Sequence, residues 1–347
     1  MKRVFDDSRL DDRAALDSWD PALRRLAVCG ARLRTEWAQA AQRVLALAEE
    51  DRPRAVIAVG SEARLIRSVL EPVCPVPFVA WPRQGLPGWV GSLDLVVILA
   101  AEGSDPAVIE TAQEGTRRGA RILIAAPEAS PVAEFAASRS TTLAPTTTRD
   151  PLAAVMVMLA ALHQLGLGPE VSVESIADAA DMVAEESSPF VDLSANSAKT
   201  RACLLADAQP LVWGGSVLAA RAGRRIASSL RSVSGRAALA ADARDLLAVI
   251  EAAEPTDVFA DPFEDDPSAD RRPVLIVCDD GDTGDDVSRH RGELRVACRR
   301  FDVREEALEA VEGEDLARYV TLLQQGRFAA AYLGLGLGVA AETVLRG

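Results

Sequence analysis

Two short apolar runs, each closed by glycine and serine, set the terms on which this chain can fold. Ala55-Val56-Ile57-Ala58-Val59 ends at Gly60-Ser61, and Pro210-Leu211-Val212-Trp213 ends at Gly214-Gly215-Ser216. A strand that is apolar at every position has no face to leave in water, so each run predicts a parallel sheet covered by helices on both sides. The surrounding pattern agrees. A helical stripe of Trp37, Ala41, Val44 and Leu47 precedes the first run, and strands follow over 76–80, 95–100 and 121–126, with a helix over 106–118. A Thr-rich, Pro-containing stretch over 138–150 follows. It leads to a helix whose Pro151 suits a first-turn position.

Beyond Gly168 the order starts again. Ile176, Ala179, Ala180 and Val183 form one helical stripe, a helix spans about 195–206, and the second glycine turn opens a helix over 217–231. Candidate strands follow near 257–260, 274–278 and 294–297, and then two helices, over 304–325 and from Phe328 onward. The expected architecture is α/β, with two similar lobes, each a mainly parallel sheet flanked by helices in three αβα layers. The domain boundaries drawn are an N-terminal segment over 1–20, a first domain over 21–168 and a second over 169–347. With 347 residues and 49% hydrophobic content, the chain can fill two cores. Acidic stretches at 261–270 and 279–286 read as solvated loops.

Composition narrows the partners. A net charge of −14 opposes encounter with nucleic acid or an anionic membrane surface. The most apolar segment, 152–167, contains His163 and Gln164 and is shorter than the roughly 20 residues needed to span a bilayer, so it reads as a core helix. The first 20 residues lack the apolar core of a signal peptide, and a cytoplasmic location is the expectation. Five cysteines stand singly without a CxxC pair and read as reduced, mostly buried thiols, not as a disulfide framework or a zinc site. The acidic loop from Asp279 fails as a calcium site, since an EF-hand register from Asp280 would put Gly284 at its fifth position and Arg291 at its twelfth. No metal and no cofactor is expected.

The chemistry concentrates at the glycine turns. In an open α/β sheet, ligands bind beyond the carboxyl ends of strands, where backbone N–H groups and helix N-termini attract anions. Gly60, Ser61, Gly215 and Ser216 fall there, glycine allowing close backbone approach and serine adding a hydroxyl that also caps the next helix. The bland alternative is a pair of tight turns and caps. Neither turn is a GxGxxG or a GxxxxGK[ST], which removes support for dinucleotide and P-loop readings. Arg221, Arg224, Arg225 and Arg231 share a helical neighbourhood with Ser228 and Ser229, as an anion site or as a solvent face paired with acidic residues.

The spacing resembles the sugar isomerase (SIS) domain family, in particular its two-lobed phosphoglucose/phosphomannose isomerase branch. The residues that carry the likeness are Val56 to Ser61, the run Leu95-Val96-Val97-Ile98-Leu99-Ala100-Ala101-Glu102-Gly103-Ser104, Asn196-Ser197-Ala198-Lys199 with the strand to Ser216, and Leu316-Ala317-Arg318-Tyr319 through Tyr332-Leu333. It covers the chain from about Arg24 onward. The resemblance implies a sugar phosphate or other small anion as ligand, bound by Gly60, Ser61, Gly103, Ser104, Gly215, Ser216, Ser228 and Arg231, and a homodimer.

Departures from the family pattern bear on mechanism. The family's phosphate loop, Ser-x-Ser-Gly-x-Thr, corresponds here to Ala100-Ala101-Glu102-Gly103-Ser104-Asp105. At about 4 Å, each of its two carboxylates would oppose an anion by roughly 1–4 kcal/mol. Aldose-ketose isomerisation needs a base to move a proton between adjacent carbons and an acid to open the ring. The family's Gln-Glu base falls at Ser228-Ser229, its histidine near Ala243-Arg244-Asp245, and its late lysine has no counterpart before Leu345-Arg346-Gly347. Of the two histidines, His163 reads as a core residue and His290 as an exposed one. Three readings stand: a binding or regulatory relative with lost or much reduced isomerase activity; an active isomerase with a rearranged site between lobes, in which Glu62, Glu102 or Ser229 would take part; and a structural partner of a sugar-nucleotide enzyme.

Overall fold

The computed structural model describes residues 4–49, 51–253 and 271–341. The expected strand at 257–260, the acidic stretch 261–270 and the last residues, 345–347, lie outside the described residues. The chain divides into two compact units, one of residues 29–177 and one that joins 1–28 to 178–347.

The 29–177 unit is a sheet with a helix layer on each face. In chain order, helix α2 (Cys29–Leu45) follows α1 (Arg13–Ala27, in the other unit) and leads to β1 (Val56–Gly60), α3 (Ala63–Leu70), β2 (Phe78–Ala80) and β3 (Leu95–Leu99). Then come α4 (Pro106–Arg117), β4 (Arg121–Ala126), α5 (Pro131–Ala136), β5 (Thr141–Pro145) and α6 (Pro151–Gln164). All strand pairs are parallel, in the order β2-β1-β3-β4-β5. Ile57, Val59, Val96, Ile98, Ile122 and Ile124 point to the side where α4 contributes Ala112 and α5 contributes Val132. The alternate residues, Val56, Ala58 and Val97 among them, are equally buried on the side of α2 and α6, which pack on each other. The uninterrupted hydrophobicity of the strands is thereby explained. Helix α6 is buried at every position from Leu152 to Leu162, as a core helix must be.

Among the described residues, the other unit repeats this order with one strand fewer. After α7 (Val173–Glu186), within which the division between units falls, come α8 (Ser197–Leu205), β6 (Gln209–Gly214), α9 (Val217–Ser234), β7 (Leu239–Ala240), α10 (Ala243–Glu251) and β8 (Pro273–Asp279). The chain continues through α11 (Asp285–Arg300), β9 (Arg304–Glu309) and α12 (Asp315–Gly336). Among the described residues this sheet is parallel with order β7-β6-β8-β9. Leu211, Trp213, Leu275 and Val277 meet α10 and α11 on one face, while α9 and α12 cover the other. Helix α1 packs on α12, and Trp19, 1% exposed, donates its indole N–H to the Val339 carbonyl at 3.0 Å. Buried Lys199 donates to Asp11 at 2.8 Å and to the carbonyls of Pro189 and Val191. Residues on both sides of the boundary drawn at 20/21 therefore lie in one helix.

The 138–150 stretch, to which the sequence reading gave no element, contains β5 at the sheet edge, where threonines and a proline are tolerated. Several expectations are corrected. Residues 294–297, expected as a strand, lie in α11, and of these only Leu294 and Ala297 are buried, a helical spacing. The expected helix over 304–325 is β9 followed by a loop and α12, which then continues without a break through Phe328. The short strand β7 and the helix α10 were not anticipated. Three of the five cysteines are buried, and burial, with the Asp280 charge adding, pushes the Cys278 thiol up to about 12. Among the described residues no helix is long and apolar enough to cross a membrane.

At the amino end of the first sheet, the Asp94 carboxylate, with its side chain fully buried, accepts Arg54 Nε at 2.9 Å, Arg54 Nη2 at 2.7 Å and the Gly91 N–H at 2.8 Å. Burial works to raise its pKa, but the Arg54 hydrogen bonds, the Gly91 N–H and the Arg54 charge outweigh that and hold it below the ordinary value. A depressed folded pKa gives stability that is complete above the unfolded value near about pH 4 and lost as the pH falls through the folded one. Asp94→Asn is expected to destabilise this unit at neutral pH by about 1–3 kcal/mol. It should also flatten the acid limb of urea-unfolding stability measured against pH.

Candidate functional site

Each sheet changes direction once. Chain progress runs from β1 outward to β2 and then back past β1 to β3, so the crevice at the carboxyl ends of β1 and β3 is the switch point where open α/β sheets bind ligands. Gly60 pairs with Leu99 across that crevice, which brings the turn Gly60-Ser61-Glu62 beside the loop 100–105. In the other unit the equivalent crevice lies between β6 and β8. There Gly214 pairs with Cys278, and the turn 214–216 adjoins the loop after Asp279.

The glycines are required by packing. Gly60 has φ +105°, and a Cβ there would lie 2.1 Å from the Leu99 carbonyl oxygen. Gly103 has φ +72° and would meet Ser130 Cβ at 2.4 Å. A Cβ on Gly215 would stand 2.3 Å from Val287 Cγ1. Glycine is thus demanded by neighbouring loops of the protein itself, whatever approaches from outside.

Ser61 is exposed and lies one residue before the cap position of α3, which Glu62 holds without a side-chain cap hydrogen bond. The expectation that Ser61 caps its helix is corrected. Glu62 is 2% exposed, a buried carboxylate at the crevice. Glu102 and Ser104 are exposed on the loop after β3. Asp105 caps α4, its Oδ1 accepting the Ala107 N–H at 2.9 Å. The N-terminus of α4, the place where a phosphate would sit by helix-dipole logic, therefore already holds a carboxylate of the chain.

The second crevice has the same character. Ser216 caps α9, its Oγ accepting the Ala219 N–H at 3.0 Å, and the same hydroxyl donates to the Asp280 carboxylate. Arg318 Nη1 binds the Asp280 carbonyl at 3.1 Å, and Arg291 Nη1 binds the Asp279 carboxylate at 2.5 Å. The hydroxyl expected to bind a ligand is engaged on both sides.

The remaining predicted residues do not join this cluster. Ser228, Ser229 and Arg231 lie on α9, 12 to 15 residues past Ser216, which at 1.5 Å per residue is about 18–22 Å along the helix. Ser228 is exposed, Ser229 donates its hydroxyl to the Arg225 carbonyl at 3.1 Å, and Arg231 donates to the Ala238 carbonyl at 2.7 Å, bracing the turn into β7. The grouping of Ser216 with Ser228 and Arg231 is corrected: one end of a helix carries the cap and the other carries a loop brace. His163 Nδ1 lies 3.2 Å from the Gly168 carbonyl, and both His163, expected in the core, and His290, expected to be exposed, are half-buried.

One clamp was missed from the sequence. Glu36, with no exposed surface, accepts the backbone N–H groups of Thr147 at 2.9 Å and Thr148 at 2.5 Å, together with the Thr148 hydroxyl. It holds the loop after β5, at the same carboxyl edge as the first crevice. Asp105 was legible, since an Asp-Pro pair ahead of a helical run marks a cap. Glu36 and Asp280 act on residues far away in the chain, and no local pattern announces them.

Each unit is a three-layer α/β sheet whose switch-point loops are built of glycines, serines and caps. Solved structures share this fold. The chain is similar to a glucose-6-phosphate isomerase like protein from Thermus thermophilus, with 16% identity, a TM-score of 0.51 and coverage of 89% of this chain and 93% of that one. It is similar to the C-terminal domain of glucosamine-fructose-6-phosphate aminotransferase from Francisella tularensis, at 12% identity, TM-score 0.62 and coverage of 91% and 96%. It also resembles tagatose-6-phosphate ketose/aldose isomerase from Escherichia coli, at 13% identity, TM-score 0.59 and coverage of 94% and 92%. No protein-family model and no curated protein sequence matches it. The resemblance to the SIS family thus rests on fold.

Gly60→Ala is expected to disrupt the β1–α3 turn and lower the stability of the 29–177 unit by more than about 2 kcal/mol, read by urea unfolding. Asp105→Ser and Asp280→Ser combined remove both carboxylates, and the serine keeps the α4 cap. The double variant should bind inorganic phosphate more tightly than the parent chain in calorimetric titration.

Proposed function

We propose that this chain is a SIS-fold binding protein, related to phosphosugar isomerases, that recognises a carbohydrate derivative and has lost or greatly reduced aldose-ketose isomerase activity. The observation that carries this reading is the pair of internal carboxylates: Asp105 on the α4 N-terminus and Asp280 on the Ser216 hydroxyl. At about 4 Å each would oppose a phosphate by roughly 1–4 kcal/mol. The proposed ligand contacts are Gly60, Ser61, Gly103 and Ser104 at one crevice and Gly215 and Ser216 at the other.

Proton transfer lacks its residues as well. The position where the resemblance places the base is Ser229, whose hydroxyl is spent on a helix carbonyl. Serine accepts no proton near neutral pH without an activating base. A second reading, an active isomerase with a rearranged site, is favoured by one observation: Glu62 is a buried carboxylate at the switch point. Homodimeric assembly and a cytoplasmic setting belong to the proposal on the strength of the resemblance, and sedimentation velocity tests the first.

Coupled assays with fructose 6-phosphate and mannose 6-phosphate decide between the two readings. We expect no turnover above background. Turnover that disappears in Glu62→Gln would overturn the loss of activity and establish the rearranged site.

A further inference from the structure

Among the described residues, strand β9 has a neighbour on one side only. Ala310 donates its N–H to the Asp279 carbonyl at 2.9 Å, and the alternation of a parallel ladder then turns the backbone groups of Glu305, Ala307 and Glu309 away from β8. Side chains reach only part of that outward row. Arg201 Nη2 approaches the Ala307 carbonyl at 3.4 Å, and Gln325 Nε2 donates to the Glu309 carbonyl at 3.0 Å. The outward N–H groups of Ala307 and Glu309 meet no further strand among the described residues.

In the other sheet the corresponding place is filled. There β5 lies outside β4, with Ile122 opposite Thr141 and Ala126 opposite Pro145. In this unit the chain passes from β9 to α12 through residues 310–314 with no strand between. A cavity of about 490 Å³ lies against β9, walled by Met182, Glu186, Ser197, Arg201, Thr321 and Gln325. Gln325 Oε1 is shut off from solvent and has no hydrogen-bond partner among the described residues.

The charge of the lining selects the occupant. Arg201 is neutralised by Glu306 at 2.8 Å, while Glu186 and Glu309 are exposed, so the lining is net negative. A second copy would bring the same Glu305, Glu306 and Glu309 against it. The segment 254–270 of this chain carries charge of the same sign, in Glu254, Asp257, Asp261, Glu264, Asp265, Asp266 and Asp270.

We infer that the groove beside β9 takes an extended, basic segment of a partner protein, which adds to the sheet as its fifth strand. The backbone of the partner would pair with the outward groups of Ala307 and Glu309, and its lysine or arginine side chains would meet Glu186 and Glu309. The inference is independent of the ligand proposed for the glycine turns.

Hydrogen-deuterium exchange of the full chain with a short peptide alternating valine and lysine tests it. The amides of Ala307 and Glu309 should slow on peptide addition, and a valine-glutamate peptide should leave them unchanged. Ala307→Pro deletes an outward N–H without touching the bonds to β8, and Glu186→Lys with Glu309→Lys reverses the charge. Each should weaken peptide binding by at least about tenfold in fluorescence anisotropy. The charge-reversed variant decides if Ala307→Pro does not fold. Absence of peptide binding, binding that leaves the two amides unprotected, or undiminished binding to a folded variant overturns the proposal. So does a change of sedimentation mass on charge reversal, which would assign the groove to a second copy.

Discussion

Every strand at the centre of these sheets is buried on both faces, and much else in the structure follows from that demand. Ile57 and Val59 face one helix layer while Val56 and Ala58 face the other, with none of the four more than 4% exposed. A parallel sheet returns its strands by crossovers, and among the described residues all of these but the β2–β3 connection run through a helix. The return loops then gather at the carboxyl edge, and the reversal of strand order between β1 and β3, and between β6 and β8, opens a crevice in each unit. The location of the candidate site is thus a consequence of how the cores are covered.

The carboxyl edge of each sheet is occupied by side chains of the chain itself. Backbone and hydroxyl donors are present, but the chain supplies its own anions to them: Asp105 at the start of α4, Asp280 on Ser216, and Glu36 in the loop formed by Thr147 and Thr148. Each satisfies donors of the chain itself and places a negative charge at the carboxyl edge of its sheet. The glycines belong to the same account, since the Gly60 and Gly103 positions are closed to a Cβ by Leu99 and Ser130.

The elements read well from the sequence were those whose burial is complete. β1, β3, β4 and β8 are continuous apolar runs, and α6 is apolar all round, so local composition reports their place directly. The elements missed or misread are half-exposed. β5, with its threonines and proline, and β9, Arg304-Glu305-Glu306-Ala307-Leu308-Glu309, carry edge-strand composition that resembles a loop or a helix when read alone. For 294–297, the helical spacing of the two buried residues was obscured by reading too short a window.

The same division holds for the site. Sequence alone determined that there are two α/β units and that glycine-serine turns close their first strands, because strand burial and turn chemistry are local. Only the tertiary structure decided that Asp280 meets Ser216 across 64 residues, that Glu36 clamps a loop 111 residues away, and that Arg231 braces a turn instead of joining a ligand site. Which donor meets which carboxylate depends on strand register and helix direction. Those are set by packing over the whole core, and no window of sequence contains them.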